Sequence, residues 1–161
     1  MNSKRASVWL VLVVALIATP VLAAEKPINL SLFTPVSLVK AEDGVSAFRF
    51  NFIYGKNTSV QVIDLGLINQ TTTMSKGLQW GFVNYTEGAQ SGLQLAAINV
   101  NKGTSNGLQW AGVNYAEQAG GLQLALVNFA RKTSGVQIGA VNIIKEGGMF
   151  PVMIIANWAK K

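Results

Sequence analysis

The sequence predicts an all-β protein built from about eight tandem strand–turn units. The first observation is an eight-residue motif, Gly-Leu-Gln-x-x-x-Val-Asn or a close variant, that recurs every 14 or 15 residues. The second is the composition of the motif, which is rich in Leu, Val, Ile and aromatic residues and too short for an amphipathic helix of 3.6-residue period. The third is that the connectors are clusters of Gly, Ser, Asn and Lys, which favour turns.

The N-terminal segment, residues 1–24, predicts a cleaved secretory signal peptide. Lys4 and Arg5 form a basic start, an apolar run covers residues 8–18, and Pro20 and a small-residue end follow. A retained membrane anchor is the alternative, but the apolar run is shorter than the ~20 residues that a spanning helix needs. Cleavage would leave about 137 residues, enough for one domain with its own core.

The composition excludes several kinds of chemistry. The chain has neither cysteine nor histidine, so it has no thiol nucleophile, disulfide or Cys-based zinc site, and it lacks the commonest general base. Without Lys4 and Arg5, 11 basic residues face 7 acidic ones, a net charge of +4. These basic residues are scattered through polar connectors, whereas a nucleic-acid surface concentrates them in a stripe. We therefore predict no nucleic-acid binding, no cofactor and no metal.

The repeated units fill most of the chain. A lead-in at residues 25–46 precedes the repeat domain at residues 47–161, and residues 28–39 of the lead-in predict one more strand, interrupted by Pro35. Units at the two ends of a stacked array are expected to diverge, because they close it off. The clear units are Gly77–Asn84, Gly92–Asn99, Gly107–Asn114, Gly121–Asn128 and Gly135–Asn142, and the divergent ones are Ala47–Tyr54, Val62–Asn69 and Phe150–Asn157.

Two architectures fit these units, and the sequence slightly favours the first, with the second as the alternative. The first is a small antiparallel β-meander closed into a barrel, with strands of about 10 residues that suit an outer membrane. Its Leu, Trp and Phe side chains would face lipid, and its Gly, Gln and Ala side chains would fill the lumen. The short turns count against it, because such barrels usually have longer loops on one side.

The second architecture is a parallel β-solenoid, in which each unit forms one coil and identical residues stack in columns. Arg49 and Asp64, which replace Gln in adjacent units, would then form an ion pair. The difficulty is reach: an eight-residue strand spans about 23 Å, and six or seven residues must return over that distance unless the strand bends, for example at Gly81 or Ala96. The stacked columns would be ladders of Asn69, Asn84, Asn99, Asn114, Asn128, Asn142 and Asn157 and of Gln79, Gln94, Gln109, Gln123 and Gln137.

The tandem Gly-Leu-Gln-x-Gly/Ala-x-Val-Asn unit behind a signal peptide resembles the exported "surface repeat" proteins of bacteria. The resemblance covers Ala47 to Asn157, and the ending from Phe150 to Trp158 is similar to the closing segment of that family. It implies a location at the cell envelope and no particular chemistry.

No set of residues predicts catalysis. Glu87 and Glu117 occupy the same connector position two units apart and could mimic a carboxylate pair, but exposed turn residues explain them better. Trp80 and Trp110 recur 30 residues apart and could form an aromatic platform for sugars or lipid, although ordinary packing or contact with lipid also explains them. We expect a non-enzymatic envelope protein, structural or embedded in the outer membrane. The alternative is a soluble periplasmic or surface module that binds polysaccharide, lipid or protein.

Overall fold

The structure, a computed structural model, describes residues 24–161, and the described residues fold into one sheet of eleven strands. No helix in this part of the chain is long and apolar enough to cross a membrane. The strands are β1 (Glu25–Phe33), β2 (Val36–Ser37), β3 (Gly44–Val60), β4 (Ile63–Trp80), β5 (Val83–Thr86), β6 (Ala89–Leu95), β7 (Ile98–Ser105), β8 (Leu108–Ala119), β9 (Leu122–Thr133), β10 (Val136–Glu146) and β11 (Val152–Trp158).

Successive units pair in parallel, with each residue beside its equivalent in the next unit. Gln94 pairs with Gln79 and with Gln109, and the same register holds throughout the clear repeats. The chain is therefore a parallel β-solenoid, which confirms the second architecture, and the antiparallel barrel is not confirmed. Parallel stacking brings identical side chains to about 4.8 Å from one another, so each amide can bond to its own copy.

Bends within each unit allow 15 residues to complete a coil. The chain leaves the sheet after Trp80 and resumes at Val83, and it does the same between Leu95 and Ile98. Glycine is needed at the first bend, because a Cβ at Gly81 would lie 2.4 Å from the carbonyl oxygen of Gly66 in the coil below. Because the strand bends, the six or seven connecting residues no longer have to return over the full length of a straight eight-residue strand.

The bend also changes which side chains face inward. Strict alternation puts Gln79 and Asn84, five residues apart, on opposite faces of a strand. In the structure both are buried, because the bend shifts the alternation and leaves Phe82 exposed between them. The interior is consequently lined with Asn, Gln and Thr, and the Leu, Trp and Phe side chains lie outside.

The two ends of the solenoid differ. At the N-terminal end, β1 pairs in parallel with β3, and β2 folds back antiparallel onto β1 after the cis peptide bond between Thr34 and Pro35. At the C-terminal end, β11 pairs antiparallel with β10. The segment Phe150–Asn157, which we predicted as an eighth repeat, is therefore a reversed closing strand, because the turn at residues 147–151 sends the chain back along the last coil.

Candidate functional site

The asparagine column forms a continuous ladder inside the solenoid. The Nδ2 of each Asn donates to the Oδ1 of the Asn in the following coil at 2.9–3.0 Å, from Asn69 through Asn142. A second bond from the same Nδ2 reaches the carbonyl just before the bend of that coil, as from Asn69 to Trp80 at 2.9 Å. Each Asn thus adds a second hydrogen bond to a carbonyl at the bend: the carbonyl of Leu95 accepts from the N–H of Gly81 at 3.0 Å and from Nδ2 of Asn84 at 3.1 Å.

The glutamine column forms a second ladder with the opposite direction. Each Gln donates to the preceding coil, at 2.6–3.0 Å, from Gln137 back to Gln79. Gln79 donates in turn to Oδ2 of Asp64 at 2.8 Å. Because a carboxylate only accepts hydrogen bonds, Asp64 fixes the direction of the whole column.

Arg49 and Asp64 form an ion pair in the N-terminal part of this column. Arg49 donates from Nε to Oδ1 at 2.7 Å and from Nη2 to Oδ2 at 2.6 Å, and the two side chains are 0% and 1% exposed. Its Nη1 also donates to Asn57 and to the carbonyl of Gln70. Both members of this pair are therefore buried and hydrogen-bonded within the protein, and neither is exposed to solvent.

Asn157 lies outside the asparagine ladder in which we placed it. Because β11 is reversed, Asn157 stands opposite Gln137 and bonds to the backbone of Phe150. Asn142 instead donates to the carbonyl of Met153. The glutamine ladder ends at the Oε1 of Gln137, a buried acceptor without a partner among the described residues.

A third inward column was not predicted from the sequence. Its members lie two residues after the Asn position and are all buried. The column changes from polar to apolar along the stack, and the recurrence of small residues at one position of each unit could have revealed it. In order, it comprises Asn57, Thr71, Thr86, Asn101, Ala116, Ala130 and Ile144.

The outer surface of the coils carries a broad apolar face. Of the described residues, only eight apolar ones are buried, whereas 26 large apolar side chains are exposed. Four outward columns of this face lack charged residues. Their members in one repeat are Leu78, Trp80, Phe82 and Val83, and we call these the Leu, Trp, Phe and Val columns.

Trp80 and Trp110 both belong to the Trp column and are 59% and 60% exposed. Leu95 lies between them, so the two indoles are separated by two coils, or about 10 Å. The structure therefore places both rings on one face without bringing them into contact with each other.

The remaining side of the coil is polar. Lys102 lies between Glu87 and Glu117 in one column, so these two carboxylates do not form a pair. Tyr115 donates a hydrogen bond to Glu117, and this bond, followed by that from Arg131 at 2.7 Å, lowers the pKa of the Glu117 carboxyl. These groups are solvent-accessible, so their ion pairs add little stability.

The fold and these surfaces define a parallel β-solenoid with amide ladders inside and an apolar face outside. Within residues 24–161 there is no group of three or more acidic side chains placed to hold a metal ion. No family model matches the chain, and no curated protein or solved structure is significantly similar to it.

Proposed function

We propose that this chain is a non-enzymatic, exported repeat protein of the cell envelope that attaches to lipid through its apolar face. The observation that carries the proposal is the reversal of the usual arrangement: amides line much of the interior, and large apolar side chains cover one side of the outer surface. Soluble monomers rarely expose a contiguous apolar patch larger than a few hundred Å². Such a face on one side of a polar body fits a protein that lies in the membrane interface.

The exposed side chains are sufficient for stable attachment. Burying one large apolar side chain contributes about 1.5–3 kcal/mol. Phe52, Trp80, Phe82 and Trp110 are each 59–64% exposed, so these four residues alone would contribute on the order of 5 kcal/mol. A single myristoyl chain gives a binding constant of about 10⁴ M⁻¹, and the whole face would exceed it.

Flotation of the purified protein with phospholipid vesicles tests this proposal. We expect the protein to float with the vesicles, and Trp80→Ser with Trp110→Ser to weaken binding at least tenfold, because two exposed indoles no longer enter the lipid. Gln118→Ser, on the polar side, is the matched control and should bind like the unchanged protein. Equal binding by the two variants, or no flotation of the unchanged protein, would refute attachment through this face.

A second candidate function is binding of an envelope polysaccharide. The observation that favours it is the spacing of Trp80 and Trp110, two exposed rings about 10 Å apart on one face. Co-sedimentation with insoluble envelope glycan, lost on substitution of either Trp and unaffected by added vesicles, would support this candidate over lipid attachment.

A further inference from the structure

A groove runs along the solenoid axis between the Trp and Phe columns. It consists of three successive hollows of about 530, 470 and 510 Å³. The first and second hollows share Phe50 and Phe52, and the second and third share Trp80 and Gly81, so the hollows are continuous. We call this feature the axial groove.

The bend in each coil creates the groove. Residues on either side of the bend, such as Trp80 and Phe82, both point outward, and a small residue lies between them. In the coil of Leu65 that residue must be glycine, because a Cβ at Gly66 would lie 2.5 Å from the carbonyl oxygen of Asn51. Because close approach of the coils excludes a side chain at this position, nothing fills the floor of the groove there.

The lining of the groove selects its occupant. No charged side chain lines any of the three hollows. Strand pairing between coils directs the backbone hydrogen bonds along the axis, so the groove offers no ladder of free donors and acceptors to an added peptide strand. A glycan would have few polar partners there. An uncharged hydrocarbon complements this lining.

The length of the groove also fits a hydrocarbon chain. It extends over six coils, from the coil of Leu30 to that of Gly112, or about 24 Å at the spacing of β-strands. One acyl chain fills half of a bilayer core, about 15 Å. The groove is therefore long enough for one acyl chain laid lengthwise. Large side chains flank it on both sides in the first two hollows, whereas in the third the Phe column contributes only Ala97 and Gly112.

We propose that the axial groove binds one extended acyl chain of a lipid. This inference rests on the proposed function in that it assigns a ligand to the same apolar face. The acyl chain would leave the bilayer surface and lie between Phe52 and Trp80. Both aromatic side chains would then contact hydrocarbon instead of water. The bound chain is recognised by length and absence of charge, whether it belongs to a free fatty acid or to a phospholipid.

Two leucines of the Phe column provide a matched test. Leu67 lines the middle of the groove, whereas Leu126 lies one coil beyond its end. Both are exposed, at 49% and 69%, so a lysine at either position can be tolerated by the fold. We expect Leu67→Lys to lower the affinity for dibrominated stearic acid at least tenfold and Leu126→Lys to change it less than threefold.

Calorimetric titration of the protein with dibrominated stearic acid below its micellar concentration should give one chain per protein. Bromine should quench the fluorescence of Trp80, and the quenching should fall in Trp80→Phe. Binding without a defined stoichiometry, or equal losses in Leu67→Lys and Leu126→Lys, would overturn the groove assignment. Equal affinity for brominated lysophospholipid would show that the chain is recognised, and a strong preference for either probe would overturn recognition by the chain alone.

Vesicle flotation separates this inference from the proposed function. Flotation of the unchanged protein without saturable uptake of the fatty acid would refute the groove and leave membrane attachment standing. Uptake of one chain without flotation would refute attachment and leave the groove standing.

Discussion

Asp64→Asn removes the charge that Arg49 neutralises while hardly changing the volume of the side chain. Both carboxylate oxygens accept hydrogen bonds, one from Nε of Arg49 and the other from its Nη2 and from Gln79. An asparagine amide would set a donor against one of these donors in either orientation. Removing one partner of a buried ion pair costs about 3–5 kcal/mol. We expect a loss of that size in the free energy of unfolding.

Urea unfolding followed by far-ultraviolet circular dichroism measures the loss as a lower midpoint at an unchanged slope. The double variant Arg49→Gln with Asp64→Gln replaces the pair by two more members of the glutamine ladder and should recover most of the stability. The single variant Arg49→Gln, which leaves the carboxylate buried, completes the cycle. A loss below about 1 kcal/mol for Asp64→Asn would refute the claim that the pair is buried and mutually dependent.

Three further outcomes follow from the geometry. Asn99→Ala leaves an acceptor and a donor of the neighbouring ladder amides unpaired and should cost about 2–5 kcal/mol in urea unfolding, whereas Asn106→Ala, at an exposed position, should cost little. Gly92→Ala should destabilise by about 2 kcal/mol, because φ is +105° and a Cβ would lie 2.2 Å from the oxygen of the glycine below; a neutral result would contradict the close approach of the coils. NMR titration should give the Glu117 carboxyl a pKa below its ordinary value, and Tyr115→Phe should raise that pKa. The small stabilisation from this carboxylate is therefore present above its ordinary pKa and is lost as the pH falls through the pKa of the folded state. An unchanged pKa in Tyr115→Phe would exclude the hydrogen bond.

The repeat predicted much of this fold because each repeated residue occupies the same packing position in every coil. The same amide in every unit can be accommodated only where units lie in register, and the two ladders follow from that register. Arg49 and Asp64 follow as well, since opposite charges replace one amide in adjacent units and lie side by side in a parallel stack.

The direction of pairing could not be obtained from the units alone. A connector of six residues suits either a hairpin or the return of a bent coil, and the choice depends on the bend at Gly81. The bend also shifts the alternation of side chains: a strict two-residue period would place Gln79 and Asn84 on opposite faces, whereas both are buried. The reversal of β11 depends on the turn at residues 147–151, outside the repeat.

The outward position of the Leu, Trp and Phe side chains was predicted from the sequence only for the barrel, and not for the solenoid. Leu, Trp and Phe in a strand usually indicate a core, and here the amides occupy the core instead. The axial groove was not predicted, because it depends on two neighbouring residues that point outward on either side of one bend.

The opposed directions of the two ladders bear on how long such a protein can grow. The asparagine amides present their positive ends toward the C-terminal end and the glutamine amides toward the N-terminal end. A duplicated unit would add one dipole of each sense, so the electrostatic balance of the interior is independent of the number of coils. Gene-level copying could therefore lengthen the molecule in single steps without redesigning Asp64, which is required once, at one terminus of its column.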